Sequence, residues 1–248
     1  MKVIAIIPAA GLGTRMAAAE TAPRSAVGKG PSKQFAELHG VPILIHTLRK
    51  FAASPPVSEI YVALRKAEAE PFQARLEKEG LSAKVRLVDG GEHRQHSVAN
   101  ALAAVDAAPD DIILVHDAVR PLVDEEIIEN VIQGAERHGA AIAGLPAVDT
   151  VKQVERSADS AIITATVPRE RVVLAQTPQG FRFSLLKKAF DEASADGFVG
   201  TDEASLVERS GHEVAVVMGS ARNLKITTPA DLELAEFYLS RPARRAAG

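Results

Sequence analysis

The stretch from Val3 to Met16, V-I-A-I-I-P-A-A-G-L-G-T-R-M, most constrains the fold that this chain can adopt. Its apolar, largely β-branched beginning, Val3–Ile7, predicts a short strand buried on both faces, as in a parallel sheet. Pro8 ends that strand. The following segment, Ala9–Gly13, has no bulky polar side chain, so its backbone amides can approach a ligand closely. Because exposed amides of this kind bind anions, the stretch predicts a phosphate-binding loop.

Two cations accompany this loop. Arg15 follows it directly, and Lys33 lies in the later segment P-S-K-Q. The combination predicts a polyphosphate site, although a glycine turn without a ligand remains an alternative. The motif is not the dinucleotide fingerprint, because Met16 stands where the third glycine would be, and it is not a Walker P-loop. A secretory signal ending at the Ala17–Ala19 triplet is disfavoured, because proline, glycine and arginine interrupt the apolar run.

Composition limits the class of protein. The 248 residues can form one domain, 1–248, and 46% hydrophobic with 25% charged residues is ordinary for a soluble globular chain. A net charge of −3 and 4% aromatic residues disfavour a nucleic-acid partner. No apolar run reaches the roughly 20 residues of a membrane span. Cysteine is absent, which excludes disulfides and thiolate chemistry, and we expect a cytoplasmic protein.

Strand-like and helix-like segments alternate along the chain, which predicts an α/β fold with a mostly parallel sheet and helices on both faces. The residues 16–32 are rich in small residues and exceed an ordinary connection, so they predict a mobile flap over the site or an insertion without function. The periodicity predicts helices beginning at Pro42, Ala67, Val98, Asp124, Phe183, Thr201 and Thr228, the sixth of them with a threonine hydroxyl cap. It predicts final strands at Val214–Val217 and Leu224–Ile226.

A second polar segment, D-G-G-E-H-R-Q-H-S, follows the predicted strand Val85–Val88. Its glycines precede the start of a helix, where backbone amides and the Ser97 hydroxyl can hold an anion or contact a base edge. His93 and His96 lie three residues apart, as metal ligands can, but no third ligand is near them in the sequence. We therefore predict that this segment contributes to a nucleotide site.

Asp117 and Arg120 follow the continuous apolar strand Ile112–Val115. In open α/β sheets, ligands bind at the carboxyl ends of the strands. Asp117 is therefore a candidate for holding a magnesium ion on nucleotide phosphates, and Arg120 for binding a second anionic substrate. The alternative is an Asp-Arg pair that only closes the loop before Pro121.

The alternation breaks after Pro146. Residues 148–154 and 161–167 each alternate apolar with polar side chains, which predicts a hairpin. Because two strands alone are marginally stable in water, this β-arm, residues 147–169, is expected to pack on a second subunit. The tail, residues 241–248, has no apolar face and is expected to be frayed.

Eight motifs together resemble one enzyme family. They are P-A-A-G-L-G-T-R-M, P-S-K-Q-F, D-G-G-E-H-R-Q-H-S-V, H-D-A-V-R-P, D-T-V-K, Q-T-P-Q, T-D-E-A and N-L-K-I-T-T-P-A-D-L. In this order they resemble the 2-C-methyl-D-erythritol 4-phosphate cytidylyltransferases of the non-mevalonate isoprenoid pathway. The resemblance implies a Rossmann-like nucleotidyltransferase fold, CTP and a polyol phosphate as substrates, Mg²⁺ or another divalent cation as cofactor, and a homodimer formed through the β-arm.

The resemblance also implies residue roles. It assigns the CTP phosphates to Ala9, Ala10, Gly11 and Gly13, and the neutralisation of charge during catalysis to Arg15, Lys33 and Lys225. It places Gly91, Glu92, Arg94, Ser97 and Ala118 at the nucleotide, and Asp117, Arg120, Thr150, Arg169, Thr177 and Thr201 at the methylerythritol phosphate. Thr150 and Arg169 would reach in from the partner's arm.

Three departures from the family pattern are visible. The connection to Lys33 is longer than is common, Glu92 stands where aspartate is frequent, and Val119 replaces an alanine. The valine form also occurs in the ribitol 5-phosphate cytidylyltransferases, so ribitol 5-phosphate remains an alternative acceptor. A non-catalytic nucleotide sensor is a second alternative, and a nucleotide-dependent dehydrogenase is disfavoured by the missing third glycine.

Overall fold

The computed structural model describes residues 1–11, 32–157 and 159–241. The strands are β1 (Val3–Pro8), β2 (Glu37–Leu38), β3 (Val41–Pro42), β4 (Val57–Leu64), β5 (Val85–Asp89), β6 (Ile112–Val115), β7 (Ala140–Pro146), β8 (Val151–Arg156), β9 (Ala161–Val167), β10 (Val173–Arg182) and β11 (Ala215–Met218). The α-helices are α1 (Ile43–Ala53), α2 (Lys66–Lys78), α3 (Arg94–Ala104), α4 (Glu125–His138), α5 (Phe183–Ala195), α6 (Glu203–Arg209) and α7 (Pro229–Ser240). Residues 16–31 of the predicted flap and residues 242–248 of the predicted tail lie outside the described residues.

A seven-stranded sheet in the order β11-β7-β10-β6-β1-β4-β5 forms the centre of the fold. The neighbouring strands β6, β1, β4 and β5 run parallel, as do β11 and β7. Strand β10 runs antiparallel to both of its neighbours. The prediction of a mostly parallel α/β sheet is therefore confirmed.

Strand β1 shows why the sheet is covered on both faces. Val3, Ala5 and Ile7 pack with residues of α1, α2 and α4 on one face. Ile4 and Ile6 pack with residues of α3, α5 and α6 on the other. Because alternate side chains of a strand point to opposite faces, a strand buried on both must be apolar throughout, as this one is.

A third apolar cluster joins β2, the start of α1 and α7 to the segments around Val119 and Ile226. Leu38 of β2, Ile43 of α1, Val119, Ile226 and Ala235 of α7 pack together. The prediction of a strand at Leu224–Ile226 was wrong, because this segment pairs with no strand in the part of the chain that the structure describes. Its Ile226 instead anchors it through side-chain burial and through an amide that donates to the Val119 carbonyl at 2.9 Å.

The caps of two helices test the predicted starts. Asp124 caps α4, as expected, by accepting from the Ile127 amide at 2.9 Å. The predicted hydroxyl cap at Thr201 was wrong, because Asp202 caps α6 and accepts from the Ser205 amide at 3.0 Å. A carboxylate near the positive end of a helix also interacts favourably with the helix dipole.

The predicted hairpin is confirmed as a separate two-stranded antiparallel sheet formed by β8 and β9. Ile162 and Ile163 are exposed at 68% and 60%. Because consecutive side chains of a strand point to opposite faces, each face of this hairpin carries one exposed isoleucine.

Candidate active site

An open cleft lies at the carboxyl ends of β1, β5 and β6. Strands β1 and β6 are parallel neighbours, and the chain leaves them toward opposite halves of the sheet. Ligands bind at such a switch point in open α/β sheets. The cleft is lined by Pro8, Ala9, Ala10, Gly11, Lys33, Gln34, Gly91, Glu92, His93, Arg94, Ser97, Asp117, Ala118, Val119 and Lys225. The structure therefore brings together most of the predicted nucleotide-site residues.

The loop after β1 is fixed from two directions. The Ala9 amide donates to the Ala63 carbonyl at 2.8 Å, and the buried Gln34 side chain donates to the Ala9 carbonyl at 2.5 Å. The amide of Ala9 is therefore committed to the fold rather than to a ligand. Gly11 lies at the exposed end of the loop, and no atom of the described residues is within 4 Å of a methyl group added there, so these residues leave its backbone open to a ligand.

The loop after β5 packs directly on the loop after β1. A methyl group added at Gly90 would lie 2.2 Å from the Ala10 side chain, and one added at Gly91 would lie 2.3 Å from the His96 side chain. The buried Ser97 hydroxyl accepts from the Gly91 amide at 3.0 Å and donates to the His93 carbonyl at 3.1 Å. Ser97 thus holds the glycine loop in place at the start of α3.

We expect Gly90→Ala to push these two loops apart. Overpacking of this kind costs about 1–3 kcal/mol of unfolding free energy, and the displaced cradle should also raise the KM for CTP. Gly11→Ala is the control for stability, because a methyl group there meets no atom of the described residues, and it should change the unfolding free energy by less than about 0.5 kcal/mol. Urea unfolding measures the stability of both variants, and steady-state kinetics measures the KM for CTP. If Ala10→Gly did not restore Gly90→Ala, the assumed clash would be wrong.

Asp117 is the centre of charge in the cleft. Its side chain is 9% exposed, and its oxygens lie 3.3 Å from Arg94 Nε, 3.3 Å from Arg120 Nε and 2.9 Å from Lys225 Nζ. Arg94 also contacts Glu203 at 2.7 Å, with the Glu203 side chain 2% exposed. Three cations and two carboxylates from distant parts of the chain therefore form one network.

The network fixes the charges of its members. Burial alone would raise the pKa of Asp117, but Arg94, Lys225 and Arg120 hold it well below its usual range. Burial alone would lower the pKa of Arg94, but Glu203 and Asp117 raise it above its usual range. Burial raises the pKa of Glu203, and Arg94 offsets only part of that effect. Asp117 and Arg94 are therefore both charged at neutral pH. With three cations against two carboxylates, the network as a whole carries a net positive charge.

Thr177 and Arg120 lie behind Asp117 and are absent from the described lining of the cleft. The buried Thr177 hydroxyl accepts from the Asp117 amide at 3.0 Å and lies 3.1 Å from His116 Nδ1. Arg120 Nη1 donates to the Asn223 carbonyl at 2.6 Å. We therefore find these two predicted substrate residues in contacts that fix Asp117 and the segment leading to Lys225.

His116 completes this support as a neutral ring. Its Nε2 lies 3.1 Å from the Arg120 carbonyl, which can only accept, so Nε2 carries the proton and Nδ1 accepts from Thr177. Burial lowers the pKa of His116 to about 4, although the Arg120 carbonyl and Asp117 act in the opposite direction. His116 is therefore not a proton acceptor for a reaction at neutral pH.

This burial predicts a loss of stability in acid. The unfolded chain protonates His116 below about pH 6.5, whereas the folded chain does not until about pH 4. The contribution is thus fully present above pH 6.5 and falls by about 1.4 kcal/mol per pH unit below it. Between pH 7 and 5 we expect the wild type to lose about 2 kcal/mol more unfolding free energy than His116→Gln. Equal losses in the two proteins, measured by urea unfolding, would contradict this.

Several predicted residues lie elsewhere. Thr150, Arg169 and Thr201 are exposed and do not line the cleft as the structure describes it. The Arg169 Nη1 donates to the Val148 carbonyl at 2.9 Å, at the base of the β-arm. Gly13 and Arg15 lie outside the described residues.

Three site residues were not singled out from the sequence. Gln34 holds the loop after β1, Glu203 pairs with Arg94, and the buried Asn223 donates to the Thr177 carbonyl at 2.8 Å. Each lies inside a motif that the sequence displayed, P-S-K-Q, T-D-E-A or N-L-K-I. The motifs were the available signal, because the burial of these three polar side chains, which requires partners, is visible only in the fold.

A metal site made by side chains alone is not present among residues 1–11, 32–157 and 159–241, where no group of three or more histidine, aspartate or glutamate side chains could hold an ion. Asp117, the predicted metal residue, already faces three cations. Glu92 is the other carboxylate on the cleft. These donors fit only a cation whose remaining ligands come from a bound phosphate.

Within the described part of the chain, the helices are too short or too polar to span a bilayer.

Comparisons with known proteins agree on one family. A model of the family IspD, 2-C-methyl-D-erythritol 4-phosphate cytidylyltransferase, matches residues 3–241. The 2-C-methyl-D-erythritol 4-phosphate cytidylyltransferase of Acidobacterium capsulatum is 60% identical over 99% of this chain and 100% of its own length. The protein of that name from Solibacter usitatus is 52% identical over 99% and 98%. The crystal structure of the Francisella tularensis enzyme is 35% identical, with a TM-score of 0.78 over 96% of this chain and 99% of that one.

Proposed function

The chain belongs to the 2-C-methyl-D-erythritol 4-phosphate cytidylyltransferase family, and on that premise we propose that it transfers CMP from CTP to 2-C-methyl-D-erythritol 4-phosphate. The products are 4-diphosphocytidyl-2-C-methyl-D-erythritol and pyrophosphate. The reaction is an intermediate step of isoprenoid precursor synthesis. The observation that carries the proposal is the family match over residues 3–241, which includes every element of the described cleft.

The cleft suits a direct displacement. A phosphate oxygen of the acceptor attacks the α-phosphorus of CTP, a new P–O bond forms, and the bond to pyrophosphate breaks. A phosphate is already ionised at neutral pH, so this reaction requires no general base, in agreement with the neutral His116. Catalysis then consists of positioning and charge neutralisation.

The cations of the cleft supply that neutralisation. Lys33, Arg94 and Lys225 all line it, and Arg94 and Lys225 are held in place by Asp117. Fixed positive groups that face the developing charge need no rearrangement during the reaction. We propose that Lys33 and Lys225 contact the phosphates and that Arg94 and Asp117 maintain their arrangement, together with Arg15 from outside the described residues.

We propose Mg²⁺ as the cofactor, carried mainly on the triphosphate oxygens with Asp117 or Glu92 nearby. When bound, it would supply further neutralisation of phosphate charge. The support is the chemistry of the donors, because two carboxylates beside a phosphate site are typical of Mg²⁺ bound together with a nucleotide.

We further propose a cytoplasmic homodimer joined through the β-arm. The support is that the hairpin pairs with no other strand of the described residues and exposes an isoleucine on each face, Ile162 and Ile163, to solvent in the single chain. Thr150 and Arg169 lie at the base of this arm, so a partner's arm would bring them toward the cleft. Sedimentation of the wild type and of Ile162→Ser/Ile163→Ser tests this, and an equally dimeric double variant would contradict it.

CTP radiolabelled at the α-phosphorus tests the reaction itself. With 2-C-methyl-D-erythritol 4-phosphate present, we expect the label in the organic product, whereas a label at the γ-phosphorus should leave as pyrophosphate. Label transfer from the γ position to the acceptor would mean that the chain is a kinase. Release of labelled CMP alone would mean hydrolysis, and both outcomes would contradict the proposed function.

A further inference from the structure

The position of Lys33 depends on its sequence neighbours. Lys33 lines the cleft and begins a short 3₁₀ turn, Lys33–Phe35, which the Phe35 amide closes by donating to the Ser32 carbonyl at 2.8 Å. Gln34, on one side of Lys33, is tied to the Ala9 carbonyl. The backbone on the other side is tied through Ser32.

Ser32 is held by two residues that lie outside the cleft. Its side chain is almost fully buried, and its hydroxyl donates to Glu68 Oε1 at 2.8 Å. Arg65 Nη2 contacts both the Ser32 hydroxyl and the same Glu68 oxygen. Arg65 follows β4 directly and Glu68 lies in the first turn of α2. We call these three residues the Ser32 anchor.

The Ser32 anchor satisfies a buried hydroxyl, and its place beside Lys33 gives it a second role. Partly exposed ion pairs such as Arg65 with Glu68 contribute little to the free energy of folding. Here, however, the pair converges on a buried hydroxyl that immediately precedes a cleft lysine. A lysine has a long, flexible side chain, so its ammonium group can be placed reproducibly only if its backbone is fixed. Misplacement by about 1 Å can cost about 100-fold in rate.

We propose that Arg65 and Glu68 are positioning residues that act through Ser32 to place Lys33 in the cleft. The inference rests on the proposed function, in which Lys33 contacts the phosphates of CTP. It adds to that function a cluster at the start of α2 that touches no substrate.

A double-mutant cycle tests the proposal. Arg65→Met is made in the wild type and in Lys33→Ala, and kcat/KM for CTP is measured for each. We expect Arg65→Met to lower kcat/KM about 10-fold in the wild type and by less than about 2-fold in Lys33→Ala, because its effect passes through Lys33. The matched control is Arg75→Met, which removes an arginine of α2 that pairs with Glu79 at 2.8 Å and does not contact Ser32, and it should leave kcat/KM unchanged.

The outcomes separate the inference from the function on which it rests. The inference would be overturned if Arg65→Met left kcat/KM unchanged, or lowered it equally in the wild type and in Lys33→Ala. It would also be overturned if Arg75→Met lowered kcat/KM as much as Arg65→Met. If Arg65→Met does not fold, Ser32→Ala takes its place in the cycle with the same expectations. If the wild type itself releases no pyrophosphate, the proposed function fails. The inference is then tested separately, by measuring the CTP affinity of the same four proteins by calorimetry.

Discussion

Lys225→Ala is expected to lower kcat by about 10²–10³-fold, which corresponds to about 3–4 kcal/mol of transition-state stabilisation. The Lys225 ammonium lines the cleft, lies 2.9 Å from Asp117 and is 35% exposed, so it is both fixed and accessible to a ligand. The folded structure should persist, because Asp117 keeps Arg94 and Arg120 as partners. Lys33→Ala is expected to have an effect of similar size.

Lys187→Ala is the control for this prediction. Lys187 also pairs with an aspartate, Asp191, at 2.6 Å, but on the exposed surface of α5 and away from the cleft. Its removal should leave kcat unchanged. Steady-state pyrophosphate release with saturating substrates measures both variants. Near-normal turnover by Lys225→Ala would show that its charge does not act on the reacting phosphates.

Asp117→Asn is expected to lower the free energy of unfolding by about 3 kcal/mol, the lower end of the range for a broken buried pair, because it leaves three partly buried cations without their shared counter-charge. Arg94 would keep Glu203 and Arg120 would keep the Asn223 carbonyl, but the charge between them would be lost. Turnover should fall as well, because the Asp117 carboxylate would no longer hold the Lys225 and Arg94 side chains in the cleft. Unfolding in urea at pH 7 measures the change in stability.

The comparison variant is Asp191→Asn, which removes the same charge from a side chain that is 63% exposed. Exposed ion pairs contribute at most about 1 kcal/mol, so this variant should be nearly as stable as the wild type. A cost for Asp117→Asn no larger than that of Asp191→Asn would mean that the network around Asp117 does not stabilise the fold.

The local features of the fold could be predicted from the sequence. The apolar run of β1, the glycines after it and the spacing of apolar residues in α4 each depend on residues close together in the chain, and each predicted its element. Parallel order also followed, because alternating strands and helices leave few other arrangements. The strand predicted at Leu224–Ile226 was wrong, because three residues that alternate apolar and polar side chains do not form a strand without a neighbouring strand to pair with.

The network of the cleft could not be predicted in this way. Arg94 and Glu203 are 109 positions apart, and no local pattern indicates that one will neutralise the other. Thr177 resembled a substrate residue in sequence, yet its hydroxyl contacts His116 and the Asp117 amide. A motif identifies residues that a site requires, but the packing of distant segments decides which of them contact a ligand and which hold those that do.

Pyrophosphate release by the wild-type protein tests the central claim most directly. CTP and Mg²⁺ are supplied with 2-C-methyl-D-erythritol 4-phosphate, with ribitol 5-phosphate, or with no acceptor. We predict release with the first acceptor and only background release in the other two reactions. Equal or faster release with ribitol 5-phosphate, or no release with either acceptor despite tight binding of CTP, would contradict the proposed function.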